Sequence, residues 1–572
     1  MPVPTKRWYV PPPPPPEVEE TLAGYPPLLR RIIYNRGYAK LEEAQRYLEA
    51  RPPEGCDPFN LLDMPKAVQR LEQAIHNGEL IAIYGDYDVD GVSATALLSM
   101  VLARLGAKVQ GYIPNRFEEG YGLNKDALES LRNQDVQVVV TVDCGIRSPA
   151  ETSHAANLGL DLIITDHHSP SGELPRALAI VNPKQEGDVY PDKNLAGVGL
   201  AYKLASALVA HLQQNGAPVP EDLRLDDYLD LVALGTVADL APLKGENRAL
   251  VRAGLLRIRK QPRVGVHALA RVAEVDPRKV GAWEIGFNLG PRLNAAGRLD
   301  SALASLRLLT TQDVAEAGLI AQQLDSQNRE RQRLTREIQA EAEQIALAEE
   351  AHPLLLFAAS PTFNSGVVGL TASRLMEQYY RPAIVGFRGE EFTRASCRSI
   401  PEFHITEALD RCAHLLEHHG GHAAAAGFTV RNDHLPELLD NLRGLAAEQL
   451  AHLDLRPELT AEAEVSLDDL QKDLLEYLDW LQPIGYGNGQ AIFLTRDLHV
   501  SRYRAVGREK DHLKLTVTNG WTTMDAIAFR MGDWAEHMPP KVDLMYTFEL
   551  NVYNGVEALQ INVRDMKPSG VA

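Results

Sequence analysis

Four cysteines in 572 residues, at Cys56, Cys144, Cys397 and Cys412, are too few and too scattered for a disulfide framework or a zinc cluster. No apolar run reaches transmembrane length and no signal peptide opens the chain, so a cytoplasmic location is expected, with no membrane partner. Basic charge is scarce as well: 58 Lys+Arg stand against 77 Asp+Glu, a net charge of −19. Nucleic-acid binders usually show a basic footprint, which this total lacks. Net charge averages over the chain, however, and acids that hold metal are offset once metal binds, so local patches decide the question. Internal repeats are absent too. What is present is ordinary for a globular protein, 45% hydrophobic and 24% charged residues. The length exceeds one core and implies two to four domains.

Six consecutive prolines, Pro11 to Pro16, predict a stiff extended surface arm. Apolar spacing around Leu28, Leu29, Ile32 and Ile33 predicts short helices over 26–76. Beyond these, strand-like runs over 80–84, 109–113, 136–142, 162–165 and 179–181 alternate with helical patterns. That alternation predicts a mostly parallel sheet covered by helices, with ligand sites at the carboxyl ends of the strands. A helical run over 301–349 predicts a bridge between two domains. Arg329, Arg333 and Arg336 share one of its faces, which reads as a solvated face with supporting ion pairs. A second α/β unit is expected over 353–430, then helices over 432–480. Short β-rich runs over 492–563, with turns at Asn519-Gly520 and Asn554-Gly555, predict a small barrel.

The chemistry concentrates in four stretches. Gly85-Asp86-Tyr87-Asp88-Val89-Asp90-Gly91 follows an apolar run and precedes a helix, placing three carboxylates at one strand-to-helix turn. Val142-Asp143-Cys144-Gly145, Thr165-Asp166-His167-His168 and Val237-Ala238-Asp239 each set an acid or imidazole after an apolar segment. Taken singly, Asp86 reads as a helix cap, Asp-His-His as a surface loop and Cys144 as core filler. Taken together they need a compensating cation, because buried anions need partners. Carboxylates with one or two imidazoles suit magnesium or manganese, and several acids around one point suit two ions.

In this order the four stretches resemble the signature of the DHH phosphoesterase superfamily. Within it the chain is similar to the RecJ family of single-stranded-DNA-specific exonucleases. Gly290-Pro291-Arg292-Leu293-Asn294-Ala295-Ala296-Gly297-Arg298, Gly366-Val367-Val368-Gly369, Arg394-Ala395-Ser396-Cys397-Arg398, the glycine-rich 420–427 and Pro483-Ile484-Gly485-Tyr486-Gly487-Asn488 carry that likeness. It spans about residues 75–565. Gly489-Gln490 stands where proline is common, and the proline-rich start has no counterpart.

The resemblance implies an α/β fold. A parallel-sheet DHH domain is joined by a long helix to a second α/β (DHH-associated) domain, followed by an OB-fold β-barrel. The expected division is an arm and helical segment over 1–74, the DHH domain over 75–300, the bridging helix over 301–349, the DHH-associated domain over 350–450, and a helical connection with the barrel over 451–572. The implied activity is removal of mononucleotides from the 5′ end of single-stranded DNA in repair and recombination. Its cofactors would be two divalent ions, Mn2+ or Mg2+. Asp88, Asp90, Asp143, His167 and Asp239 would ligate them, Asp143 as bridge, with Asp86 a further ligand or a neighbour. His168 would sit by the scissile phosphate and Asp166 would orient the imidazoles.

For DNA, the resemblance nominates Arg116, Ser396 and Arg398 at the 5′ phosphate, Tyr121 as a base stacker, Arg292, Asn294 and Arg298 at backbone phosphates, and Gly421 and His422 in a substrate grip facing the metal site. The barrel adds its own signal. Residues 491–572 hold ten Lys+Arg and ten Asp+Glu, and Arg502, Arg504, Arg508, Lys510 and Lys514 cluster with Tyr503, the basic and aromatic mixture that single strands need. A single-strand-binding protein and a helicase are partners by family alone. Two rival readings are a DHH-family phosphodiesterase on short oligonucleotides or cyclic dinucleotides, and a non-catalytic single-strand-binding relative.

Overall fold

The computed structural model describes residues 6–115, 122–170, 172–299, 301–348, 353–553 and 555–570. The chain divides into two units, Val10–Asp325 with Ala461–Ala572, and Met1–Tyr9 with Ser326–Thr460. The division falls inside the 33-residue helix Val314–Ala346. A shorter helix, Leu303–Thr310, precedes it, so the helical run predicted from 301 is two helices. On the long helix Arg333 pairs with Glu330 and Glu337, as expected of a solvated face.

The larger unit holds a five-stranded sheet, all parallel, in the order Lys108–Tyr112, Leu80–Gly85, Val136–Val142, Asp161–Thr165, Ala179–Val181. Its central strands read Val-Val-Val and Leu-Ile-Ile and are buried on both faces, which is why they lack alternation. The chain reverses direction across the sheet between Leu80–Gly85 and Val136–Val142. That is the switch point where doubly wound sheets open a crevice at their carboxyl ends. Asp86 to Asp90 and Asp143 follow these two strands.

The same unit ends in a barrel. Phe493–Val506, His512–Thr518, Thr523–Ala528, Val556–Pro568 and Lys541–Tyr553 pair in sequence, and the last returns to pair with the first, leaving no free edge. Within the proline run Pro12 and Pro13 are exposed and outside any helix or strand, as in a surface arm, but the run is anchored further on. Pro14 is buried, and Pro16 opens the helix Pro16–Thr21, where its fixed φ suits the first helical position. Val18, Leu22, Leu29, Ile32, Ile33 and Leu48 share one hydrophobic cluster with barrel residues such as Phe493, Leu515 and Tyr546. Arg248 braces this junction. It is fully buried, lies 4.3 Å over the Tyr47 ring, and donates to the carbonyls of Tyr47, Trp480, Leu481 and Pro483.

The smaller unit has a mixed sheet ordered Leu416–His422, Ala425–Arg431, Phe392–Arg398, Ala383–Arg388, Leu356–Ser360, parallel only in its final pair. Its helix Val368–Tyr379 packs on the sheet through Val368, Ala372 and Leu375. Among the described residues no helix is long and apolar enough to cross a membrane.

Candidate active site

Asp88 is the N-cap of the helix Val89–Arg104: its Oδ1 accepts the N–H groups of Asp90 at 2.9 Å and Gly91 at 3.1 Å. The cap role that the sequence suggested for Asp86 therefore belongs to Asp88. Asp90, fully buried in that helix's first turn, accepts the N–H groups of Gly197 (2.7 Å) and Val198 (2.8 Å) from the start of the helix Gly197–Gln214. Asp143 sits beyond its strand at φ 63°, a left-handed conformation that aspartate tolerates better than most residues. His167 Nε2 lies 3.0 Å from Asp143 Oδ1, 3.9 Å from Asp90 Oδ2 and 3.8 Å from Asp239 Oδ2. Asp239 follows the helix Leu229–Ala238; the apolar run before this acid is helical, unlike the strands that lead into the other three stretches.

Three overlapping groups result, each with ligand atoms within 4.8 Å of one another: Asp86, Asp88 and Asp143; Asp90, His167 and Asp239; Asp143, His167 and His168. The third is weakened by a prior commitment. His168 Nδ1, 3.9 Å from Asp143, is 2.7 Å from Asp166 Oδ1. Asp143 belongs to one of the remaining pair of groups and touches the histidine of the other.

The electrostatics say what this group can hold. Burial, followed by the charges of Asp90, Asp88, Asp239 and Asp86, pushes the Asp143 carboxyl well above its ordinary range. Burial and Asp88 push Asp90 up to about 7 despite its two backbone donors, and burial with Asp90 and Asp88 pushes Asp239 up to about 9. Burial and His168 push His167 down to about 3, so its imidazole is neutral and able to ligate. Asp143 Oδ1 and His167 Nε2 are buried without a hydrogen-bond partner. Crowded carboxylates and an unprotonated imidazole with orphaned atoms fit hard divalent cations. Asp166 differs: burial opposes its ionisation, but the His168 ring and the N–H groups of His168 and Ile146 hold its pKa below the usual value. Cys144 is buried in the sheet's second core cluster, with its pKa pushed well up by burial and nearby acids, as core filler should be.

The other nominated residues lie elsewhere. Arg116 and Tyr121 fall outside the described residues. Arg292, Asn294 and Arg298 share the helix Gly290–Leu299. Arg292 donates to Asp325 at 2.9 Å and to the Asn288 carbonyl at 2.8 Å, so its charge is already paired. Asn294 Oδ1 accepts the Val89 N–H at 3.1 Å and so braces the acidic turn from above, a structural duty the sequence reading missed. Arg298 is half-buried one turn on. In the smaller unit, Ser396 and Arg398 on one strand come close to the start of the helix Val368–Tyr379; a Cβ on Gly369 would lie 3.4 Å from both Ser396 Oγ and Arg398 Nη2. Gly421 and His422 end the strand Leu416–His422, and His422 is exposed. On the barrel, Arg502, Tyr503 and Arg504 are exposed and line a groove of about 640 Å3 with Lys514.

Comparison with known proteins agrees with this geometry. Residues 80–236 match the DHH family N-terminal domain, 353–448 the DHHA1 domain and 461–565 the RecJ OB domain. The chain is 36% identical over 571 residues to the single-stranded-DNA-specific exonuclease RecJ of Salmonella typhimurium, covering 96% of this chain and 98% of that one. The chain belongs to the RecJ family. Two crystal structures of RecJ from Thermus thermophilus superpose on it. The one in complex with Mn2+ gives a TM-score of 0.85 at 31% identity, covering 99% of this chain and 80% of that one. The one in complex with Mg2+ gives 0.78 at 30%, covering 99% and 79%.

In RecJ terms, two further residues shape the metal group here, and neither is chemically reactive. A Cβ on Gly197 would lie 2.6 Å from Asp143 Cβ and 3.0 Å from Asp90 Oδ2, and one on Gly235 would lie 2.7 Å from Asp90 Oδ1. Only a bare backbone lets these helices approach the acids. Ala196-Gly197-Val198-Gly199 is the visible trace in the sequence, small residues at a helix start, but spacing alone does not say what they approach.

Proposed function

We propose that the chain is a metal-dependent exonuclease that hydrolyses single-stranded DNA from the 5′ end to mononucleotides, serving DNA repair and recombination. One observation carries the reading: Asp86, Asp88, Asp90, Asp143, His167 and Asp239 meet around Asp143 Oδ1 and His167 Nε2, buried atoms 3.0 Å apart that make no hydrogen bond. Two divalent ions, Mn2+ or Mg2+, fit this donor set, and once bound they supply charge neutralisation at the phosphodiester and a more acidic water. Asp88, Asp90, Asp143, His167 and Asp239 would hold them, Asp143 common to both, with Asp86 alongside.

The chain's own residues then bind and orient. Asp166 fixes His168 through Nδ1, which presents the imidazole for charge stabilisation at the scissile phosphate. Ser396 and Arg398, with Arg116, supply a hydroxyl and forked donors for a 5′ phosphate. Gly421 and His422 add to that grip, and Arg298 serves a backbone phosphate. Arg502 and Arg504 with Tyr503 give the barrel a charged track and a stacking face. The 33-residue helix and closed barrel count against a phosphodiesterase of short oligonucleotides, which needs neither, and the complete acid set counts against a non-catalytic relative. Recruitment by a single-strand-binding protein or a helicase belongs to the same reading. So does a cytoplasmic location, which the free state of all four cysteines suits.

The test is digestion of an end-labelled single strand in Mn2+ beside the same strand in a blunt duplex. Mononucleotides should leave the 5′ end of the single strand while the duplex persists, and Asp143→Ala should bind without cleaving. Release from the 3′ end, or equal loss of duplex, would overturn the reading.

A further inference from the structure

The larger unit carries an aromatic pair that the mechanism above does not use. Trp283 and Phe287 stack with ring centroids 5.4 Å apart and planes 28° apart, yet remain 60% and 67% exposed. Rings of this size are ordinarily buried for their apolar area, so a pair ordered against itself in water is a surface built to be flat and apolar. Trp283 lies in the short helix Ala282–Glu284 and Phe287 in the π-helical turn Ile285–Leu289. Such turns are rare and recur at functional sites.

Its place in the fold is the second observation. The π turn packs on the end of the helix Leu229–Ala238. A Cβ on Gly286 would lie 3.9 Å from Val237 Cγ1, and one on Gly290 would lie 3.4 Å from Ala238 Cβ. Asp239, of the metal group, is the next residue in the chain.

Charge is the third. Residues 252–298 hold ten Lys+Arg and three Asp+Glu, in a chain whose net charge is −19. Arg257, Arg263 and Arg278 are paired with Asp227, Asp230 and Asp276. Lys260, Arg271 and Lys279 are exposed; Lys279 shares Asp276 with Arg278, while Lys260 and Arg271 meet no acid among the described residues. Glu284, next to Trp283 in the chain, is turned back onto the Gly281 N–H at 2.8 Å. A folded protein partner calls for a broad apolar patch with charge kept to its rim, whereas exposed aromatic rings on a cation-rich segment fit a polyanion with unstacked bases.

We propose that the Trp283–Phe287 pair is a base-stacking platform for single-stranded DNA, with the exposed Lys260 and Arg271 available to the strand's backbone. The proposal rests on the exonuclease reading and adds a contact that orders the substrate next to the metal group. A strand long enough to reach the platform gains affinity from it, and a dinucleotide does not.

Hydrolysis of a 5′-phosphorylated 20-mer and of a 5′-phosphorylated dinucleotide should be compared for the wild type and for Trp283→Ala/Phe287→Ala, with melting curves to confirm that both are folded. The ratio of kcat/KM for the 20-mer to that for the dinucleotide should fall about tenfold in the variant, chiefly through KM, because one stacked base contributes about that much. Trp283→Tyr should restore most of it. An unchanged ratio in a folded variant overturns the platform. A wild type that releases no nucleotide overturns the exonuclease reading instead, so the two failures are distinct. Photo-crosslinking of a strand carrying 5-iododeoxyuridine to the wild-type protein needs no variant. Adducts on Trp283 or Phe287 support the platform, and adducts confined to other residues overturn it.

Discussion

His168 donates from Nδ1 to Asp166 Oδ1 at 2.7 Å, and Asp166 is held ionised by that bond and by the N–H groups of His168 and Ile146. The carboxylate fixes both the ring's orientation and its tautomer, which makes Asp166 a positioning residue. Asp166→Asn should lower kcat about 10- to 100-fold with a smaller change in KM, the range found when such outer partners are removed. Steady-state hydrolysis checks this, and a loss confined to KM would contradict it.

The metal group predicts a pH dependence. Without metal, burial and the neighbouring carboxylates push Asp90 up to about 7 and Asp239 up to about 9, above the ordinary carboxylate value. The native state then binds more protons than the unfolded chain, so metal-free stability falls as pH rises from about 4 towards 9. Metal displaces those protons. The gain in Tm on adding Mn2+ should therefore be larger at pH 8 than at pH 6, as scanning fluorimetry can measure. Asp143→Asn removes a carboxyl whose ionisation burial and the neighbouring acids oppose, and should raise the metal-free Tm at high pH while abolishing hydrolysis.

Gly197→Ala should damage the site without touching a reactive group. Its methyl would stand 2.6 Å from Asp143 Cβ and 3.0 Å from Asp90 Oδ2, so the helix Gly197–Gln214 must retreat. A cost of about 1–3 kcal/mol in stability is expected, together with weaker Mn2+ binding by calorimetry.

On the barrel, Arg502→Ala and Arg504→Ala should each weaken single-strand binding similarly for all sequences, and each should reduce the slope of log affinity against log salt by about one. Fluorescence anisotropy between low and moderate salt measures both effects.

Arg248 answers to a different measurement. Arg248→Met leaves four carbonyls without their charged donor and removes the cation over Tyr47. A loss of roughly 3 kcal/mol is expected from buried hydrogen bonds to a charged group. Urea unfolding checks it.

Most of the metal group was legible in the sequence because its members follow uninterrupted apolar runs, and a parallel sheet has one end at which to gather them. Asp86, Asp88, Asp90, Asp143 and His167 follow from that rule. Asp239 obeys the spacing but not the structure, since a buried helix and a buried strand of ten residues read alike. Gly197 and Asn294 were not legible as site-shaping residues, because close approach and a single backbone hydrogen bond have no periodicity. Nor were the helices at the start of the chain legible as part of the barrel: their apolar faces say that something covers them, and only the fold says what.

That shared core has a consequence for synthesis. About 450 residues separate Leu48 from the first barrel strand in its cluster, which begins at Phe493. At about 5–20 residues per second, the leading helices wait roughly 20–90 s outside the ribosome with their oily stripes bare. For that interval the nascent chain is a client for whatever shields greasy segments in the cell, and the barrel becomes the last piece to close.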